Sequence, residues 1–452
     1  MKKDEPSGSV TLRWDERLFL GMYRLGMDLF FPPVLLALSP VLLFKRKRRI
    51  TLLPRLGFQR FPKASPLQDA RVPGRKKVLW VHALSVGEVL SAVPLIRELH
   101  LRIQPARIYF SASTLSGYET AKRKMEGTLD GLVFFPLDTF FAVRRCVANV
   151  QPSLFVLVET DLWPGFMAEL RRQRIPSLLV NARLSPSSFK RYGQTKRLFS
   201  PALNTFCRVY PQSPADARSF EALGLNPEKL AEPGNLKFDA ARTSSVPAGV
   251  ERARAKVAVQ EGERVLVAGS THEGEEVILR TTFLRLRQSL PELKLIVAPR
   301  HPHRAEEVRR VFVHDPLKIV LYSSLPQKRF DVAVVDDFGV LSSLYEIGDL
   351  AYVGGSLVPK GGQNPLEPAA AGKPVLFGPN MSDFSDVAGC MLKEGGAIEV
   401  KDGEDLATQA HRLLSDRALR AGLGAKNKAL VERNAGLATR IAEDILEFLQ
   451  RG

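Results

Sequence analysis

The chain has 452 residues, 45 % of them hydrophobic and 25 % charged. That length exceeds one ordinary core and fits two domains with a small appendage, and the composition excludes a disordered or low-complexity chain. A formal net charge of +17 favours phosphate-rich partners, while three widely spaced cysteines (Cys146, Cys207, Cys390) exclude a disulfide framework and point to a reducing compartment.

Residues Leu18 to Phe44 are mostly apolar and carry no charge from Leu29 onward. Lys45-Arg46-Lys47-Arg48-Arg49 follows at once. An apolar run ending in a basic block predicts a spanning or embedded membrane anchor with the bulk of the chain on the cytoplasmic side. The same block suits anionic headgroups if the segment lies in the interface. Pro32, Pro33 and Pro40 are expected to kink or break a helix here. The competing readings are a helix docked on its own protein and a cleaved signal peptide. Against the latter, arginines stand where a small-residue cleavage site belongs. A further basic cluster is Arg75-Lys76-Lys77. No zinc-finger spacing, RNP-type aromatic motif or basic zipper accompanies the charge, so nucleic acid is not an expected partner. A solvated basic face is the plain alternative.

From Lys77 the chain alternates β-branched runs with helical patterns. Val78–Val81, Arg107–Phe110, Leu154–Val158, Ser177–Val180 and Val209–Tyr210 read as strands, with helices over Val86–Leu99, Tyr118–Met125 and Pro164–Arg172. The stretch from Gly224 to Gly249, rich in Gly and Pro, reads as a linker. Strands then resume at Val265–Ala268, Leu293–Ala298, Ile319–Tyr322, Val332–Val335, Leu350–Val353 and Pro374–Phe377. Helices close the chain from Asp402 to Leu449. This alternation predicts two doubly wound parallel sheets, an α/β architecture of the GT-B type with two Rossmann-like domains facing a cleft. The expected division is an anchor over 1–50, a first domain over 51–235 and a second over 236–452.

Seven motifs stand at strand ends or in the linker. His82-Ala83-Leu84-Ser85-Val86-Gly87-Glu88 opens a helix, where Glu88 can accept a proton. On its own, that position favours a carboxylate satisfying the helix dipole. Val158-Glu159-Thr160-Asp161-Leu162-Trp163-Pro164 offers Glu159 and Asp161, equally readable as a cap with a core tryptophan. Asn181-Ala182-Arg183-Leu184-Ser185 follows a strand. Gly234-Asn235-Leu236-Lys237-Phe238-Asp239 puts Lys237 where it can meet negative charge, or else on the surface.

Ala268-Gly269-Ser270-Thr271-His272-Glu273-Gly274-Glu275 can cradle an anion or simply cap a helix with Thr271 and Glu275. It matches neither a Walker A loop nor a dinucleotide fingerprint, and His-Glu-Gly-Glu is not the H-E-x-x-H zinc motif. Pro299-Arg300-His301-Pro302-His303-Arg304 supplies arginines suited to phosphate. Its two histidines lack partners spaced to complete a metal site, so none is expected. Gly354-Gly355-Ser356-Leu357 and Gly361-Gly362-Gln363-Asn364-Pro365-Leu366-Glu367-Pro368 combine glycines with a helix start, and Glu367 can accept ribose hydroxyls or serve as a buried cap.

Taken in order, together with Arg55-Leu56-Gly57, these motifs resemble the 3-deoxy-D-manno-octulosonic acid (Kdo) transferases of lipopolysaccharide assembly across nearly the whole chain. The resemblance implies a GT-B fold and an inverting transfer without metal or cofactor. The donor would be CMP-Kdo, held mainly by the second domain. The acceptor would be a tetraacyl lipid A precursor approaching the first domain from the cytoplasmic face of the bacterial inner membrane. It implies Glu88 as proton acceptor, with Glu159 and Lys237 assisting the transition state. CMP contacts would fall on Pro299 and Arg300, on Gly339, Val340 and Leu341, and on Asn364, Pro365, Leu366 and Glu367. Three positions depart from the family pattern. Asp161 replaces a glutamate, Gly165 an asparagine and Gln363 a histidine. Gln363 keeps hydrogen bonding but cannot become cationic. A GT-B transferase using another nucleotide sugar and a membrane-tethered protein without turnover are the competing functional readings.

Overall fold

The chain enters through two helices, α1 (Trp14–Phe44) and α2 (Arg46–Arg55), and continues into a parallel sheet. Its strands are β1 (Val78–Ala83), β2 (Arg107–Ala112), β3 (Gly131–Phe134), β4 (Leu154–Val158), β5 (Ser177–Ala182) and β6 (Arg208–Pro211). They lie in the order β3-β2-β1-β4-β5-β6. The crossovers use α3 (Val86–Arg102), α4 (Leu115–Lys124), α5 (Phe140–Val150), α6 (Pro164–Arg172), α7 (Pro186–Gln194) and α8 (Lys196–Leu203). Then come α9 (Pro214–Ala222) and α10 (Leu236–Arg242). This computed structural model describes residues 13–44, 46–61, 77–103, 106–313, 315–326 and 329–451. Lys45, Arg75 and Lys76 of the basic clusters lie outside them.

Strands covered on both faces need apolar residues at successive positions, which is why they read as unbroken runs rather than alternations. Leu79 and Val81 of β1 join one cluster with α3, while Trp80 joins the opposite cluster with Phe135, Phe155 and Phe166. The final helix (Leu437–Arg451) also belongs here. Leu437, Ile441, Ile445 and Leu449 complete the α3 side of the sheet.

The second sheet holds β7 (Arg264–Thr271), β8 (Leu293–Pro299), β9 (Ile319–Leu321), β10 (Val332–Val334), β11 (Leu350–Val353), β12 (Val375–Phe377) and β13 (Ala397–Glu399). Its order is β13-β12-β11-β7-β8-β10-β9, again parallel throughout. Its helices are α11 (Pro247–Val257), α12 (Glu275–Ser289), α13 (Ala305–Phe312) and α14 (Leu341–Ile347). They continue with α15 (Leu366–Ala370), α16 (Ser385–Glu394), α17 (Gly403–Ser415) and α18 (Arg417–Asn434); the final helix is α19.

By contact, one unit runs up to Ala240 and resumes at Gly436, and the other is Ala241–Ala435. The boundary thus falls inside α10, not at 235/236, and the C-terminal helix returns to the first unit instead of staying with the second. Each unit is a doubly wound parallel-sheet fold.

Two expectations for the N-terminal segment fail. Pro32, Pro33 and Pro40 do not break it, since α1 runs through all three. Pro32 and Pro33 remove the donors for the carbonyls of Asp28 and Leu29, and both of those residues are exposed, so water can replace the lost bonds. The expected membrane-spanning anchor is also not found. Among the described residues no helix is long and apolar enough to cross a membrane. The first half of α1 instead docks on its own protein through polar groups. Tyr23 OH donates to Asp138 Oδ2 at 2.8 Å, Arg24 Nη2 donates to Gly165 O at 3.3 Å, and Asp28 Oδ1 accepts from Phe140 N at 2.8 Å.

Asp138 is buried and caps α6, accepting from Gly165 N at 2.8 Å and Phe166 N at 2.6 Å. Burial pushes its carboxyl up, against those donors and Arg24. Removing it strands two backbone donors and the Tyr23 hydroxyl. Asp138→Ala is therefore expected to cost about 2–4 kcal/mol in urea unfolding, and Tyr23→Phe only about 1 kcal/mol.

Candidate active site

In the first sheet, β1 and β4 are neighbours whose following connections leave in opposite directions, the switch point where such sheets bind ligands. The segment after β1 leads into α3, and Glu88 is the third residue of that helix. Its carboxylate turns back on the loop, where Leu84 N donates to Oε2 at 2.5 Å and Ser85 Oγ donates to Oε1 at 3.2 Å. That much is helix capping, as the plain reading holds. Yet Glu88 is only 9 % exposed, and its pKa is pushed up to about 8. Burial is the largest cause, then the Glu159 charge, with Asp161 adding and the two hydrogen bonds opposing. A carboxyl near neutrality can take a proton and give it up again, which a fully ionised cap cannot do efficiently.

Glu159 follows β4 with a left-handed backbone, φ 62°. Non-glycine residues seldom adopt this conformation, and it concentrates at functional sites. Burial pushes its carboxyl up, while Lys237, Arg183 and the Asn181 amide pull it back. Lys237 is the second residue of α10, its N–H accepted by Asn235 Oδ1 at 3.0 Å. Glu88, Glu159 and Lys237, far apart in sequence, are thus within electrostatic reach, Glu88 of Glu159 and Glu159 of Lys237.

Asp161 accepts from Trp163 Nε1 at 2.9 Å and stands 3.7 Å from His82 Nε2. Burial raises it, but His82, Trp163 and Arg55 together hold it below the usual range. His82 is wholly buried, stacked on Phe135 at 3.7 Å, and burial pushes its pKa down against the pull of Asp161. Two departures from the family pattern gain a physical reason. The short Asp161 side chain satisfies Trp163 and His82. At Gly165 an added Cβ would come within 2.8 Å of the Asp138 carboxylate, so no larger residue fits without displacing it.

In the second unit, the remaining candidates gather at the carboxyl end of the sheet. Arg300 N donates to Thr271 O at 2.9 Å, joining Pro299-Arg300 to the end of β7. Gly339, Val340 and Leu341 lead into α14, and Val340 and Leu341 pack on the cluster that holds Val265 and Val267 of β7. Gly362 N donates to Gly355 O at 2.9 Å, tying the segment before α15 to the loop after β11. Asn364 Oδ1 accepts from Leu366 N at 3.1 Å, and its amide donates to Glu367 Oε1 at 3.2 Å. Glu367 lines a cavity of about 170 Å³ with Arg242, Ser244, Ser342 and Lys428.

The Gly-Gly-Ser loop itself serves packing. Gly354 lies so close to Ser270 that a Cβ would meet its carbonyl oxygen at 2.5 Å. The N–H groups of Gly355, Ser356 and Leu357 all donate to the buried Glu275 carboxylate, as do Tyr352 OH and His272 N. Glu275 therefore holds two loops together and does more than cap α12. Gln363 and His272 flank Gly355. His301 and His303 stack at 5.4 Å. Among the described residues no group of three or more His, Cys, Asp or Glu is placed to hold a metal ion.

A family profile described as 3-deoxy-D-manno-octulosonic-acid transferase (kdotransferase) matches residues 53–240. The 3-deoxy-D-manno-octulosonic acid transferase of Haemophilus influenzae is 31 % identical over 426 residues, spanning 93 % of this chain and 96 % of that protein. The chain belongs to the 3-deoxy-D-manno-octulosonic acid transferase family. It is a glycosyltransferase. A probable mitochondrial member from Arabidopsis thaliana is 31 % identical over 408 residues, 86 % of this chain and 89 % of the relative. Among solved structures, UDP-GlcNAc 2-epimerase from Neisseria meningitidis, bound to UDP-GlcNAc, superposes with a TM-score of 0.58 at 14 % identity, covering 83 % of this chain and 100 % of that one. Anabaena HepE in complex with UDP and glucose gives 0.54 at 16 % identity, covering 84 % and 100 %. These likenesses concern the fold alone, which is GT-B.

The raised pKa of Glu88 has a thermodynamic sign. A carboxyl whose folded value lies above its unfolded value costs nothing below about pH 4.5, and its cost grows as pH rises toward about 8. Glu88→Gln is expected to raise Tm over wild type by an increment that grows between pH 5 and 8. In ¹³C NMR of glutamate-labelled protein, Glu159→Gln is expected to move the Glu88 midpoint downward, because a repelling charge is gone.

Proposed function

We propose that this family member transfers Kdo from CMP-Kdo to a tetraacyl lipid A precursor, with inversion and without a metal ion or cofactor, at the cytoplasmic face of the bacterial inner membrane. The observation that carries the reading is the Glu88–Glu159–Lys237 cluster, with one carboxyl poised near neutrality, on a chain whose relatives bear the name of this transferase. A hydroxyl of the acceptor sugar attacks the anomeric carbon of Kdo, and its proton passes to Glu88. The bond to CMP breaks, and the nucleotide departs with both bonding electrons on its phosphate. A single displacement of this kind inverts the anomeric centre. In the first unit Lys237, held beside Glu159, is the cation suited to developing negative charge; in the second, Arg300, exposed at the end of β8, is suited to the donor's phosphate. Asn364 and Glu367, bonded to each other, are suited to the ribose hydroxyls of CMP, beside the cavity that Glu367 lines.

The membrane part of the reading rests on α1. Its docked face makes polar bonds through Tyr23, Arg24 and Asp28, and its outer face carries Trp14, Leu18, Met22, Leu25 and Leu29, all more than half exposed. Their spacing of three and four residues puts them on one stripe. An exposed apolar stripe along a helix, followed by arginines, fits the headgroup boundary of an anionic bilayer.

Glu88→Ala is expected to lower transfer by ~10²–10⁴-fold while thermal stabilisation by CMP persists. Mass spectrometry of the lipid after incubation with CMP-Kdo and tetraacyl precursor checks both substrates; an unmodified lipid, or stabilisation by UDP in place of CMP, sinks the reading. Joint replacement of Met22 and Leu25 by Asp is expected to weaken flotation with phosphatidylglycerol vesicles by ~10-fold or more, while transfer to detergent-dispersed acceptor continues.

A further inference from the structure

Asn181 sits near the end of β5, wholly buried and left-handed at φ 56°. Asparagine is among the few side chains that tolerate that conformation. The pairing of β5 with β6 slips in register between Leu179 and Ala182, across this residue. Such an irregularity re-aims a side chain. Here the amide makes two bonds of opposite sense. Oδ1 accepts from Leu236 N, at the start of α10, at 3.0 Å, and Nδ2 donates to Glu159 Oε1 at 3.4 Å. The Asn181 carbonyl also accepts from Gln212 Nε2 at 3.0 Å; Gln212 Oε1 accepts from Asn235 Nδ2 at 3.3 Å. Asn235 in turn accepts from Lys237 N.

One planar group therefore ties the carboxylate that follows β4 to the helix that carries the lysine. We propose that Asn181 is a positioning residue, whose amide sets the geometry of the Glu159–Lys237 pair during transfer. The role rests on the proposed function for its catalytic meaning, but the tie itself stands on these bonds. No other side chain of this size supplies both halves. Aspartate offers two acceptors and adds another carboxylate to the group of Glu88, Glu159 and Asp161. Alanine loses both bonds and strains the backbone. Glycine keeps the backbone conformation and deletes only the amide, which makes it the informative replacement.

In Asn181→Gly, kcat is expected to fall ~10–100-fold with KM for CMP-Kdo within about twofold of wild type, as for a misplaced group rather than a lost binding contact. Combined with Glu159→Gln, the two losses are expected not to multiply, because both act through one pair. A second arm needs no turnover. In glutamate ¹³C NMR the Glu159 midpoint is expected to rise in Asn181→Gly, with Lys237, Arg183 and Glu88 still facing it. Wild-type kcat in the glycine variant, multiplying losses, or an unmoved Glu159 midpoint overturns the proposal. If wild type itself moves no Kdo from CMP-Kdo, the proposed function fails, and the titration arm alone decides the Asn181 tie.

Discussion

Two carboxylates that repel one another, Glu88 and Glu159, are held at the end of one parallel sheet where burial already disfavours their charge. The surrounding architecture serves to sustain that arrangement. β1 and β4 are central neighbours, so the segments leaving them emerge side by side. Helix α3 begins close enough for Leu84 and Ser85 to fix Glu88, and a left-handed turn aims Glu159. Lys237 comes from much further along the chain and offsets part of the cost. Two like charges in a poorly solvated place are unfavourable for folding. Their persistence here is the feature on which the proposed proton transfer to Glu88 rests.

Much of the scaffold was legible in the amino-acid order. Fully buried strands are apolar runs, and those from Val78 through Phe377 were placed within a residue or two at most ends. β3 and β13 escaped because four and three residues give too short a signal, and Gly131 opens the first of them. The candidate residues were legible as motif members, but their mutual placement was not. Nothing in the order of residues reveals that Asn181 turns left-handed or that its amide reaches both Glu159 and Leu236. Asp138 was invisible for a related reason. A lone aspartate in a loop announces a cap only once α6 and Tyr23 are seen against it.

The N-terminal segment illustrates where composition misleads. Its apolar run and prolines read as a broken spanning anchor, yet α1 is continuous and binds the first unit through Tyr23, Arg24 and Asp28. The polar residues that spoiled its hydropathy help to dock it, while an apolar stripe from Trp14 to Leu29 is left outside. Hydropathy averaged over a window discards this sidedness. The tie from Tyr23 to Asp138 also joins α1 to the helix that follows Glu159 and Asp161, so the outer surface and the carboxylate cluster share a common support.

The return of the last helix to the first sheet carries its own consequence. Leu437, Ile441, Ile445 and Leu449 fill a face that α3 and the strands leave open, and they follow the whole second unit in the chain. The second unit is thus inserted into the first in chain terms, and during synthesis it can be finished while its host is still missing a wall. The sheet bearing Glu88 and Glu159 gains this wall only after the whole of Ala241–Ala435 has been made, so completion of the first unit waits on synthesis of the second.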